Sequence, residues 1–299
     1  MEVLKGIFPA MVTPVTDTYK INEKVLHQEI EFLINSGVDG LVLLGESGEY
    51  VAVAEKERKT AIDLSLKMIK DRLPLIVGVL SPGIGDAISF ATYAKNAGAN
   101  AILATPPYCV HPSQKGILKY YDRLSREVDI PIIIYNNPDL IGVNILPETT
   151  AELATNVKNI IGIKESNVDI CYISHIRDLV SGKFSILVGR SQQLFPGLCL
   201  GAMGAISGIA TVIPEIYKEI YLKVVEGNIE AARKAYYRAN PLISLLISGS
   251  DSAVECMKYA LGLRGIIVGD PMNPLSPLKK NSPVAKKIKN HMALLNLIS

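Results

Sequence analysis

The sequence lacks any strong imbalance of charge. Its 31 lysines and arginines face 29 aspartates and glutamates, a formal net charge of +2 over 299 residues. That balance gives no reason to expect nucleic acid or an anionic membrane surface as a partner. The most basic stretch, Lys279-Lys280 followed by "AKKIKNH", reads as the solvated face of a helix. Cysteine is also scarce. Cys109, Cys171, Cys199 and Cys256 form no C-x-x-C pair, so neither a zinc site nor a disulfide framework is implied, and a reducing, cytoplasmic compartment is expected. The four histidines, His27, His111, His175 and His291, show no ligand spacing, and no metal is expected. The N-terminus carries Glu2 and has no basic region followed by an apolar one, so a signal peptide is not expected. Residues 191–214 are uncharged and long enough to cross a bilayer. Pro196, Gly197, Gly201, Gly204 and Gly208 interrupt them, and they read as barrel interior entering a short buried strand.

What is present is a large apolar fraction, 48% against 20% charged residues, which describes a soluble protein with a substantial core. The length admits one large barrel or two ordinary domains. Short β-rich runs recur: "GIFPAMVT", "GLVLLG", "PLIVGV", "AILATP", "PIIIYN", "IIGIKE", "SILVGR" and "GAISGI". They are continuously apolar, as strands are when both faces of a parallel sheet are buried. Amphipathic stretches such as "NEKVLHQEIEFLINSG" and "GDAISFATYAKNAG" lie between them, the latter closing at Gly98. Eight such units predict an α/β (β/α)8 TIM barrel. A doubly wound open sheet is weakened by that count and by the missing G-x-G-x-x-G turn after the first strand. From Pro214 onward the pattern is helical only. The expected division is a catalytic barrel over 1–224 and a C-terminal helical extension over 225–299.

Chemistry in such a barrel gathers at the C-terminal strand ends. Lys164 is the only lysine that ends a predicted strand. Burial lowers an amine's pKa, and a neutral amine condenses with a ketone to give a Schiff base. Equally, Lys164 fits a structural lysine paired with Glu165 or another acid. Tyr135 ends the preceding strand, roughly 4.8 Å away across a sheet, where a phenol can relay protons. Ser47 and the amides near Gly48 form a turn of the kind that holds a carboxylate. Glu46, inside the same turn, does not suit that task, because carboxylates repel each other. The "GAISG" stretch offers a phosphate cradle with Arg190 as a helper.

In order and spacing, "GIFPAMVTPV", "GVDGLVLLGESGEY", "TPPYCVHPSQKG", "PIIIYNNPDLIGV", "IIGIKES" and "LGAMGAISG" resemble the dihydrodipicolinate synthase and N-acetylneuraminate lyase family of pyruvate-dependent class I aldolases. The resemblance spans about residues 5 to 295. It implies a barrel with a helical extension, a tetramer of two dimers, and pyruvate as substrate without a diffusible cofactor. By position, Lys164 looks like the Schiff-base lysine and Tyr135 like the proton-relaying tyrosine. Ser47 looks like the second hydroxyl of the loop that binds pyruvate's carboxylate, and Ile206 like the residue flanking the pyruvate pocket. Three positions depart from the synthase pattern. Glu46 replaces the loop's first hydroxyl, and Leu140 stands where synthases carry an arginine for the second substrate. Cys109 stands at the tyrosine lent to a neighbouring subunit, unless the match slips by one onto Tyr108. These departures favour a carbon–carbon lyase cleaving a 2-keto-3-deoxy sugar acid, such as 2-keto-3-deoxygluconate, to pyruvate and an aldehyde. The alternatives are 4-hydroxy-tetrahydrodipicolinate synthase, a keto-acid dehydratase, and a non-catalytic keto-acid-binding barrel.

Overall fold

The computed structural model describes residues 3–298. Met1, Glu2 and Ser299 lie outside the described residues, and with them the reading of Glu2 and the outermost ends of the two expected domains. Eight strands form one parallel sheet: β1 (Gly6–Pro9), β2 (Leu41–Leu43), β3 (Leu75–Val79), β4 (Ala101–Ala104), β5 (Ile132–Asn136), β6 (Ile160–Glu165), β7 (Ser185–Val188) and β8 (Gly204–Ser207). Their order is β1-β8-β7-β6-β5-β4-β3-β2. A parallel bridge from Ala10 to Val42, with Met11 N–H donating to the Val42 carbonyl at 2.9 Å, brings the end of β1 back onto β2. The expected (β/α)8 barrel is the fold. Nearly every strand residue is buried, which is why the runs are continuously apolar and not alternating.

Helices α1 (Glu23–Asn35), α2 (Glu55–Ile69), α3 (Ile84–Ala97) and α4 (Gln114–Glu127) cover the first half. They are followed by α5 (Pro138–Ile141), α6 (Pro147–Asn156), α7 (Cys171–Leu179), α8 (Leu194–Cys199) and α9 (Ile209–Val212). The chain ends in α10 (Pro214–Val225), α11 (Ile229–Ser248), α12 (Ala253–Leu263) and α13 (Pro283–Leu294). Asn22 and Ser113 cap α1 and α4 through their side-chain oxygens, and Gly98 closes α3 at φ 107°. Residues 191–214 fold as α8, β8 and α9, and among the described residues no helix is long and apolar enough to cross a membrane.

Two glycines fix close approaches that shape the site. At the β1–β8 seam, Gly6 and Gly204 are register partners, and a Cβ on Gly204 would lie 1.9 Å from the Gly6 carbonyl oxygen. On β3, a Cβ on Gly78 would lie 2.0 Å from the Leu44 oxygen. Only a glycine there lets the segment after β2 fold down over β3. At the same end of the barrel, α12 packs against α9 and α11 and brings its first turns over the strand ends.

Candidate active site

Parallel register sets the centre of the site. Tyr135 and Lys164 are paired residues on β5 and β6, 1% and 5% exposed, with the Lys164 Nζ 4.0 Å from the centre of the Tyr135 ring. Burial pulls the Lys164 amine down to about 8, against the opposing charge of Glu46. Glu165 is not its partner. Adjacent strand residues point to opposite faces, and Glu165 accepts from Asn136 Nδ2 on each of its two oxygens at 3.0 Å and from the Asn167 N–H at 2.7 Å. Burial pushes that carboxyl up to about 7. The structural-lysine alternative therefore loses the partner it named.

Glu46 reaches across the barrel mouth. Tyr135 donates its hydroxyl hydrogen to Glu46 Oε2 at 3.1 Å, and Asn137 Nδ2 donates to the same oxygen at 3.2 Å and to the Tyr135 hydroxyl at 3.0 Å. Burial first, then the Glu46 charge, hold the Tyr135 phenol well above its ordinary pKa. The oddity in the turn is thus a hydrogen-bond acceptor for the phenol beside the buried amine.

The turn itself is held in an uncommon conformation. Leu44 and Glu49 flank it with φ 58° and 54°, left-handed values that ordinary side chains adopt at a cost. Leu44 is fully buried, and Thr13 Oγ1 donates to the Gly48 carbonyl at 2.5 Å. Among the described residues, the N–H groups of Ser47 and Gly48 donate to no protein acceptor. Ser47 lines the cavity and packs so closely on Gly208 that a Cβ there would lie 2.2 Å from its Oγ. Free amides and a hydroxyl at one turn make an anion-binding concavity.

Beneath the turn lies a buried ion pair that the sequence did not reveal. Glu49 Oε2 is 2.6 Å from Lys258 Nζ on α12, with both side chains almost fully enclosed. Glu49 Oε1 accepts the Met272 N–H at 2.6 Å, and Lys258 also donates to the carbonyls of Asp270 at 3.0 Å and Thr13 at 3.3 Å. Glu29, pushed by burial up to about 8, accepts the Val12 N–H at 3.2 Å and feels the Lys258 charge. Met257, the neighbour of Lys258, lines the cavity. The pair ties the turn to α12.

The cavity measures about 340 Å³ and also receives Asn137, Asp139, Leu140, Ser166 and Arg190, a volume within the roughly 300–1,000 Å³ usual for small-molecule sites. Arg190 Nε donates to the Ser166 carbonyl at 2.8 Å, and its guanidinium pairs with Asp139. It faces these groups, and Ser191, not Arg190, bonds to β8, through Ser207 at 2.7 Å. Ile206, expected to flank the pocket, is fully buried among core side chains at the end of β8, and the cavity wall just beyond it is Gly208 and Ile209. Gly48 is buried and, with its carbonyl taken by Thr13, contributes to the turn through its N–H alone. Tyr108 lines a neighbouring smaller pocket that shares Glu46 and Leu140, while Cys109 is exposed at φ 65°. Within one chain, neither lines the Lys164 cavity. Asn137, Asp139 and Ser166 were missed. The first two were findable, since they follow Tyr135 at the same strand end.

The fold is a (β/α)8 barrel whose strand ends bring a buried lysine and a tyrosine together at one cavity. The dihydrodipicolinate synthetase family matches residues 3–291, and the chain belongs to that family. It is 35% identical over 297 residues to the 4-hydroxy-tetrahydrodipicolinate synthase of Archaeoglobus fulgidus, covering 99% of this chain and 100% of the relative. With the enzyme of that name from a Thermoanaerobacter species it shares 34% over 296 residues, 99% of each chain. The crystal structure of dihydrodipicolinate synthase from Thermotoga maritima superposes with a TM-score of 0.94 at 29% identity, covering 99% of this chain and 100% of that one. These matches correct the expectation of an enzyme cleaving sugar acids. That expectation rested on single-residue departures at Glu46, Cys109 and Leu140, whereas the relatives matched from end to end carry the synthase name. An arginine missing at position 140 also does not leave the cavity without one, because Arg190 enters it after β7.

Removing one member of a buried ion pair strands the other. Lys258→Met should therefore lower stability by about 3–5 kcal/mol in denaturant unfolding. Adding Glu49→Gln, which keeps an acceptor for the Met272 N–H, should recover much of that loss. A single variant as stable as the unaltered protein contradicts the role given to the pair.

Proposed function

We propose that the protein is a 4-hydroxy-tetrahydrodipicolinate synthase, condensing pyruvate with aspartate semialdehyde through a Schiff base on Lys164. The observation that carries this reading is the buried amine with a pKa of about 8 beside Tyr135, in a chain whose end-to-end relatives bear that name.

The steps follow from the groups present. Neutral Nζ attacks C2 of pyruvate, and the carbonyl oxygen leaves as water with a proton delivered by the Tyr135 hydroxyl. The Ser47 hydroxyl and the free amides of the turn hold the C1 carboxylate. Tyr135 then takes a proton from C3, and the iminium becomes an enamine. The enamine C3 attacks the aldehyde carbon, and the new alkoxide takes its proton back from the phenol. Finally the amine of the aldehyde substrate, having given one proton to the Tyr135 phenolate, attacks C2, passes a second proton to Nζ and displaces it as the neutral amine. The cyclic iminium releases its last N–H proton to solvent, which leaves the closed ring and frees Lys164. Over the cycle one water and one proton are released, and no diffusible cofactor is needed, because the iminium is the electron sink. While protonated, Tyr135 donates its hydrogen bond to Glu46, which acts as relay partner where the resembled family has a hydroxyl. The tetramer of two dimers belongs to the same reading.

The direct test is pyruvate consumption with and without aspartate semialdehyde, with the product identified by mass. Aldehyde-dependent loss of pyruvate and a product of the condensed, dehydrated mass are expected. No aldehyde-dependent consumption by folded protein contradicts the reading.

The pH dependence has a defined sign. Nζ attacks only when neutral, so kcat/KM for pyruvate should rise with pH through a limb near 8, the pKa of the free enzyme's amine. A neighbouring carboxylate stabilises the ammonium, so Glu46→Gln should move the limb to lower pH. The same change should reduce kcat on the order of 10²-fold through loss of the relay. A limb at the ordinary lysine value, or one that stays in place in the variant, contradicts this assignment.

A further inference from the structure

The cavity contains two opposite-charge combinations. The first, Lys164 and Glu46 with Tyr135, belongs to the reacting centre. The second, Arg190 and Asp139, has no part in the steps above, yet both residues line the same cavity.

Its placement is well fixed on the arginine side. Gly189 lies against the β6 end, where a Cβ would be 1.9 Å from Ser166 Oγ and 3.1 Å from Lys164 Cγ. The next residue, Arg190, is therefore launched from beside the reactive lysine. Its Nε is anchored on the Ser166 carbonyl at 2.8 Å. Its terminal nitrogen pairs with Asp139, while Nη1 donates to no acceptor among the described residues. Asp139 sits on α5, whose capping residue Asn137 bonds to both the Tyr135 hydroxyl and Glu46. Both charges are thus tethered one residue or two from groups that touch the reacting centre. The pair is partly open, with side chains 28% and 65% exposed, so it is held weakly and can be shared with a ligand. Leu140, 44% exposed on the same short helix, supplies no charge.

We propose that Arg190 and Asp139 form the receptor for the α-amino-acid end of the aldehyde substrate, Arg190 taking its carboxylate and Asp139 its ammonium. This rests on the synthase reading and deepens it. A zwitterion presents one charge of each sign on a single carbon, and an open ion pair presents the complementary two. Arginine's planar fork suits a carboxylate. A sugar aldehyde, with neither charge, gains nothing from the pair. Specificity toward an amino-acid aldehyde therefore resides on β7 and α5.

The test compares aspartate semialdehyde with 4-oxobutanoate, the same aldehyde acid without its ammonium, at saturating pyruvate. Asp139→Asn should raise KM for aspartate semialdehyde by about tenfold or more and leave KM for 4-oxobutanoate within about twofold. Arg190→Met should raise KM for both aldehydes and leave KM for pyruvate within the same limit. A structural role for the pair would shift all three substrates together, which overturns the proposal, as do two variants with unchanged aldehyde KM values. Calorimetric binding of homoserine and of 4-hydroxybutanoate to pyruvate-loaded protein gives the same comparison without turnover. If the unaltered protein prefers homoserine and Asp139→Asn abolishes the preference, the receptor stands even where condensation is absent and the synthase reading fails. Equal binding of the two by the unaltered protein overturns the receptor, whatever the outcome of the condensation assay.

Discussion

An amine buried with no carboxylate in direct contact is the constraint on which the rest of this site depends. Taking an ammonium out of water is costly, and a protein normally answers by pairing it or by letting it lose its proton. Around Lys164 the second course is taken. The in-register neighbour on β5 offers the face of a phenol, and Glu165 is turned away into its own asparagine cage. The nearest acid in effect, Glu46, spends its hydrogen bonds on Tyr135 and Asn137. It raises the amine's affinity for protons only part of the way back, leaving the pKa at about 8. A strand register fixes this arrangement, and register is among the stiffest features of a closed barrel.

The strain in the turn after β2 needs an equal and opposite anchor. Two left-handed side-chain-bearing residues bracket Gly45 to Gly48, and each is held by burial or by charge. Leu44 is held by burial, and Glu49 by its pair with Lys258. Through that pair α12 becomes part of the candidate site's framework, because the residue beside Lys258 faces the cavity. A buried pair of this kind is weak support for stability as such but a good device for specifying one arrangement.

The sequence made the barrel legible because its strands are continuous apolar runs closed by turn residues, and because a lysine and a tyrosine stand at adjacent strand ends. Helices α5, α8 and α9 were not legible: four to six residues hold too little of the 3.6-residue period to announce a helix. Glu29, Glu49 and Lys258 carry no local signal, since their meeting depends on the closed fold bringing α12 beneath the turn. Glu46 was recognised as anomalous, but its service to Tyr135 required the two strand ends to be seen facing each other. The substrate inference went astray for a related reason. It read Leu140 as the loss of a charge, whereas a cavity can draw its arginine from another strand, and Arg190 comes from beyond β7.

The central claim is that Lys164 is the nucleophile. Borohydride reduction in the presence of pyruvate, followed by peptide mass spectrometry, addresses it directly. The account predicts that the reduced pyruvate adduct is found on the peptide at Lys164. An unmodified Lys164 in folded, pyruvate-saturated protein, or an adduct on any other lysine, would contradict it.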